Sequence, residues 1–294
     1  MNARWSRACR LAFLPPMLSL LLACPSAPTP DEDQPGAVPV SQQAAAKHGL
    51  LDGQRKSFVV VGYSTSYAWP DILQEMLDEH SGGEGTYQVL NAVAGGAPVE
   101  HWIAEPGTRD YERTIGAMTA DFMGLDALLR GDAPEPAIAI CQQSLQLTRT
   151  ERGPVTSESD MVGAEMGADA LEKMALRLRD LGLEQVYIAM HIYKKPVEPE
   201  VGNERIALAR LLERGHDFIH DGPDLWTVTR ERYPDCYEED GLHPNDLGSK
   251  LMAEHWYRTL AGPDARGEII LRMHEREYDI RAMMQDYLAW RRGE

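Results

Sequence analysis

The sequence predicts a three-layer α/β/α sandwich around a central parallel sheet of about five strands, and three observations carry that expectation. Apolar β-branched runs such as Phe58-Val59-Val60-Val61 are nearly continuous, as strands covered on both faces require. Amphipathic stretches with helical spacing lie between these runs, so strands alternate with helices and the crossovers are right-handed. Glycine, serine or amide residues close the runs, at Gly62-Tyr63-Ser64, Gly95-Gly96 and Gln142-Gln143, where loops at the carboxyl edge of a parallel sheet build a site.

Ser57 to Val61 is the first expected strand. Pro70 then sits where a helix should start, Ile72, Leu73, Met76 and Leu77 follow at helical spacing, and Gly82-Gly83 ends it. Tyr87 to Val93 reads as the second strand. Val99 to Leu129 is helical in pattern but interrupted by Pro106-Gly107, Ala137 to Cys141 is the third strand, and Thr148 to Asp160 is polar, suited to a lid or rim. Met161 to Leu181 carries Val162, Met166, Leu171, Met174 and Leu178 near the helical period, with Gly182 as its stop. Gln185 to Met190 is the fourth strand, and Pro199 to Arg214 a helix presenting Ile206, Leu208, Leu211 and Leu212. Asp224 to Val228 reads as a short fifth strand, after which the turn Asp240–Asn245 opens a core helix through Met252, Trp256 and Leu260. The tail from Gly267 to Trp290 reads as one long helix with Ile269, Met273, Ile280, Met284 and Leu288 on a stripe, packed on the parent domain or taking a partner helix.

With 294 residues and 43% hydrophobic content the chain can bury a sizeable core. A formal charge of −17 argues against nucleic acid as a partner and against docking on anionic lipid without another anchor. The N-terminus offers that anchor. Arg4, Arg7 and Arg10 precede an apolar run through Met17–Ala23 that is too short to span a bilayer comfortably, the pattern of an export signal. It closes on Leu21-Leu22-Ala23-Cys24, which resembles the lipobox of bacterial lipoproteins and implies acylation of Cys24 and a membrane-anchored, extracytoplasmic chain. In an ordinary secretory peptide Cys24 would be incidental. Residues 1–23 are thus expected to be a signal peptide, 24–54 a flexible tether rich in Pro, Ala and Gln, 55–262 the α/β domain and 263–294 a helical extension. Export permits Cys141 and Cys236 to pair, and the alternative is two buried thiols.

Asp240-Gly241-Leu242-His243-Pro244-Asn245 puts a carboxylate three residues before an imidazole in a tight turn. Such a carboxylate can accept the Nδ1 proton, fix the tautomer and leave Nε2 free as a base. Ser64, after the first strand, is the candidate nucleophile, with Ser66 the alternative if the register slips by two.

Taken together, serine after the first strand, glycine after the second, an amide after the third and Asp-x-x-His near the end resemble the SGNH, or GDSL-like, hydrolases from about Ser57 to Leu260. The resemblance implies the flavodoxin-like SGNH fold, with Ser64 as nucleophile, His243 as base and Asp240 as its orienter. It also implies an oxyanion hole from the N–H groups of Ser64 and Gly95 with a carboxamide from Gln143, or alternatively Gln142. Tyr63 stands where the family usually has aspartate, and Cys141-Gln142-Gln143-Ser144 where it commonly has Gly-x-Asn-Asp. The implied activity is ester hydrolysis on a small-molecule or glycan substrate, short acyl groups on carbohydrate being favoured. A lysophospholipase or thioesterase, or a non-catalytic binding lipoprotein with this fold, are the alternatives. His191, at the end of the fourth strand, either lines the substrate pocket or is a hydrogen-bonded rim residue, and His101 and Trp102 either hold a sugar ring or serve packing. No cofactor is implied. His-Glu-x-x-His and Cys-x-x-Cys are absent, and His216 and His220 have no third metal ligand of obvious type nearby.

Overall fold

In the computed structural model, residues 49–103, 137–143, 161–194 and 201–292 are described. Lys56–Gly62 (β1), Tyr87–Asn91 (β2), Ala137–Gln142 (β3), Leu183–Met190 (β4) and Ile219–Asp224 (β5) form one five-stranded sheet. Every pairing is parallel and the order is β2-β1-β3-β4-β5. Strand order reverses between β1 and β3, so the loops leaving β1 and β2 and the carboxyl end of β3 fall together on one edge of the sheet. Register puts Val60 beside Asn91 and Gly62 beside Gln142, which brings the ends of these strands level.

The continuous apolar character of β1 and β3 is explained by helices on both faces. Met161–Asp180 (α3) and Val201–Glu213 (α4) cover one face, where Val59, Val61, Ala139 and Cys141 meet Leu171, Met174 and Leu208. Trp69–Ser81 (α1), Asp246–Ala261 (α6) and Gly267–Glu275 (α7) cover the other, where Phe58, Val60, Ile138 and Ile140 meet Ile72, Met252 and Ile269. Trp69 and Trp256 stack here at 5.9 Å, and burying a side chain of this size contributes about 3 kcal/mol. Two short helices, Val99–Ile103 (α2) and Leu225–Arg230 (α5), and a last helix, Ile280–Arg292 (α8), complete the described α-helices. None of the described helices is long and apolar enough to cross a membrane.

Two expectations are corrected. The fifth strand is Ile219–Asp224 rather than Asp224–Val228: the Asp224 side chain accepts the Thr227 N–H at 3.1 Å and so starts a helix through Leu-Trp-Thr-Val. The tail is two helices, because Arg276 turns to extended backbone and Asp279 caps a new helix by accepting the Ala282 N–H at 3.0 Å. Of the two readings of Cys141 and Cys236, the buried thiols hold: both are free, and they lie in the cores on opposite faces of the sheet. Burial raises both thiols, Cys236 to about 11.

At the end of the expected tether, the Leu50 N–H donates to the Leu260 carbonyl at 2.7 Å and Leu51 is buried. The leader with Cys24, most of the tether, the Val99–Leu129 helix beyond Ile103 and the Thr148–Asp160 stretch lie outside the described residues.

Candidate active site

β1 ends at Gly62 and the chain turns at once into a single 3₁₀ turn, Ser64–Ser66, closed by the Ser66 N–H on the Tyr63 carbonyl at 2.8 Å. Thr65 and Ser66 are buried, whereas Ser64 is half-buried at the crevice. Gln142, wholly buried at the end of β3, clamps the turn from below. Its Oε1 accepts the Ser66 hydroxyl proton and its Nε2 donates to Thr65 Oγ1 at 3.3 Å. Ser66, the alternative nucleophile, is therefore engaged with Gln142.

The Asp240–Asn245 turn is fixed at both ends. Tyr237 and Pro244 form an antiparallel bridge, and the Glu238 N–H donates to the His243 carbonyl at 2.8 Å. Asn245 caps α6 by accepting the Gly248 N–H at 3.1 Å, and its Nδ2 donates to the carbonyls of Asp235 and Tyr237. Within this frame Asp240 Oδ1 accepts the N–H groups of Leu242 and His243, and Oδ2 accepts from His243 Nδ1 at 2.7 Å. With Nδ1 protonated, Nε2 carries the lone pair that accepts the Ser64 hydroxyl proton at 2.9 Å. Partial burial works to raise the Asp240 carboxyl, but the hydrogen bonds from His243 and Leu242 outweigh it and hold the group below its usual range. The serine and the imidazole, separated by 179 residues, thus lie in one hydrogen-bonded line with a carboxylate that stays ionised.

Gly95 lies in the turn Ala94–Ala97, closed by the Ala97 N–H on the Ala94 carbonyl at 3.1 Å. A Cβ here would collide with the Tyr67 hydroxyl, so only glycine fits. Gln143, also buried, donates from Nε2 to the Ala97 carbonyl at 2.8 Å and accepts the Trp102 indole N–H at 3.3 Å. Each glutamine thus braces one loop: Gln142 the Ser64 turn, Gln143 the Gly95 turn.

The remaining candidates sit elsewhere. His191 is not at the rim: it is 2% exposed, stacked on Tyr63 at 5.3 Å, with Nδ1 donating to the Ile192 carbonyl at 2.5 Å. His101 and Trp102 are buried. His216 pairs with Glu172 and His220 with Gln185, and no cluster of three or more potential metal ligands occurs among the described residues. Sequence reasoning missed the aromatic pair Tyr67 and Tyr287 beside the Gly95 loop, since each reads as an ordinary core position of its own helix or turn.

No family model and no curated protein matches the chain. Among solved structures, the chain is similar to a carbohydrate esterase family 3 protein from Talaromyces cellulolyticus, with 12% identity, a TM-score of 0.46 and coverage of 75% of this chain and 99% of the other. It is also similar to TesA, with 18% identity, a TM-score of 0.45 and coverage of 70% and 98%. A member of the lipolytic G-D-S-L family from Veillonella parvula is similar at 13% identity, with a TM-score of 0.42 and coverage of 67% and 94%. At this level of likeness it is the chain's own geometry that bears on its chemistry.

Proposed function

We propose that the chain is an ester hydrolase of the SGNH kind, working outside the cytoplasm, anchored through an acylated Cys24 and acting on short acyl esters such as O-acetylated carbohydrate. The observation that carries this reading is the line from Ser64 Oγ through His243 to Asp240, with hydrogen bonds of 2.9 and 2.7 Å. The export signal and lipobox support the location, and the family resemblance supports the acyl class.

In this reading Ser64 Oγ attacks the ester carbonyl as its proton passes to His243 Nε2, and the ionised Asp240 stabilises the imidazolium. The oxyanion is met by the N–H groups of Ser64 and Gly95. The imidazolium returns its proton to the departing alcohol, leaving an acyl group on Ser64. Water, deprotonated by His243, attacks that acyl group and restores the serine with release of the acid.

Purified protein lacking residues 1–23 should hydrolyse p-nitrophenyl acetate. Ser64→Ala should abolish the activity and His243→Ala should lower it by about ten-thousandfold or more, the range of loss that follows removal of one member of such a triad. Equal rates for wild type and Ser64→Ala would sink the reading.

A further inference from the structure

We propose that Tyr287, in the last helix, is a positioning residue that holds the Gly95 loop in register with Ser64; the inference rests on the ester hydrolase reading above. Among the described residues β2 is an edge strand, with a strand neighbour on one side only. On that side the N–H groups of Ala92 and Ala94 donate to Val60 and Gly62 at 3.0 and 3.2 Å. On the outer side the carbonyls of Asn91 and Val93 meet no strand of the described residues, and Val93 is 1% exposed, so its carbonyl needs a protein partner. Tyr287 supplies it. Its hydroxyl donates to the Val93 carbonyl at 2.6 Å and lies 3.3 Å from that of Asn91, so α8 does for the end of β2 what a sixth strand would do.

Three further contacts bring the same helix to the parts of the site. The Tyr287 ring packs on Tyr67 at 5.4 Å, and the Tyr67 hydroxyl lies directly against Gly95. Asn91 Nδ2 donates to the Tyr67 carbonyl at 3.2 Å, which ties the chain after the Ser64 turn to the end of β2. Arg281, at the start of α8, pairs at 2.8 Å with Glu238, whose N–H holds the His243 carbonyl. α8 therefore touches the segments carrying Ser64, Gly95 and His243. The Gly95 turn is held at one end by Gln143 on Ala97 and at the other by Tyr287 on Val93. An N–H that must meet an oxyanion at hydrogen-bond distance is sensitive to a small drift of such a turn.

Tyr287→Phe keeps the ring against Tyr67 and Trp290 and removes only the hydroxyl. It is expected to lower kcat on the order of tenfold, less than outright loss of an oxyanion donor, with KM changed by less than about twofold. Leu288→Ala, a packing change on the same helix, should reduce Tm at least as much and leave kcat intact. Hydrogen exchange over Val93–Ala97 reads the contact with no ester present and should be faster in Tyr287→Phe. Unchanged kcat, unchanged exchange, or a kcat loss that Leu288→Ala reproduces in proportion to Tm would each overturn the positioning role. An active Ser64→Ala would instead remove the hydrolase reading and this inference with it; an inactive Ser64→Ala beside a normal Tyr287→Phe removes this inference alone.

Discussion

A methyl group on Gly95 would run into the Tyr67 hydroxyl, while the ring carbon behind that hydroxyl stands 3.6 Å from the same point, an ordinary contact. The ring cannot swing aside, because Tyr287 is packed against it. Gly95→Ala is therefore expected to lower ester hydrolysis by about tenfold or more through displacement of the loop, and Tyr67→Phe in the same chain to restore much of it. Initial rates of the two variants test this, and a double variant no faster than Gly95→Ala counts against it. The contrast between legible and hidden residues follows from range. Asp240 and His243 are three residues apart and the turn chemistry between them points to their contact. Tyr287 reaches Val93 across 194 residues, and nothing in its own helix marks it. Gln142 and Gln143 were visible as amides, but neighbouring strand positions face opposite ways, so one braces the Ser64 turn and the other the Gly95 turn.

At the level of elements, α6 is seated on the Asp240–Asn245 turn with no spare space. A Cβ on Gly248 would collide with the Cys236 carbonyl and come within 2.9 Å of Pro244 Cβ. Gly248→Ala should cost about 2 kcal/mol of stability by urea unfolding and also reduce activity, since Pro244 follows His243 directly. Unaltered unfolding would exclude so tight a seat. The strands and helices of the inner sheet were legible because the apolar period and the local propensity agree in them. β5 was not. It is an edge strand of sequence Ile-His-Asp-Gly-Pro-Asp, which tertiary pairing with β4 holds extended despite poor strand formers, and Pro223 is tolerated because an edge leaves one side unbonded. The break in the tail did have a local signal, Asp279 just before an apolar-periodic run, which the longer stripe obscured.

The molecule as a whole carries several histidines kept neutral by its interior. Burial, with the Lys194 ammonium adding to it, holds His191 well below the ordinary imidazole value, and burial also lowers His80, His220 and His255. Such groups take up protons first in the unfolded chain, so their contribution to stability is complete above the ordinary imidazole value of 6.5 and is lost as pH falls from there toward each folded value. Thermal melts at pH 7.5 and 5.5 should show a smaller fall for His191→Phe than for wild type; an equal fall would mean that His191 protonates in the fold without penalty. Because the outer carbonyls at the end of β2 are covered by a tyrosine in the last helix, a chain without that helix would leave this margin bare. Chains shortened ahead of Tyr287 are therefore expected to self-associate edge to edge.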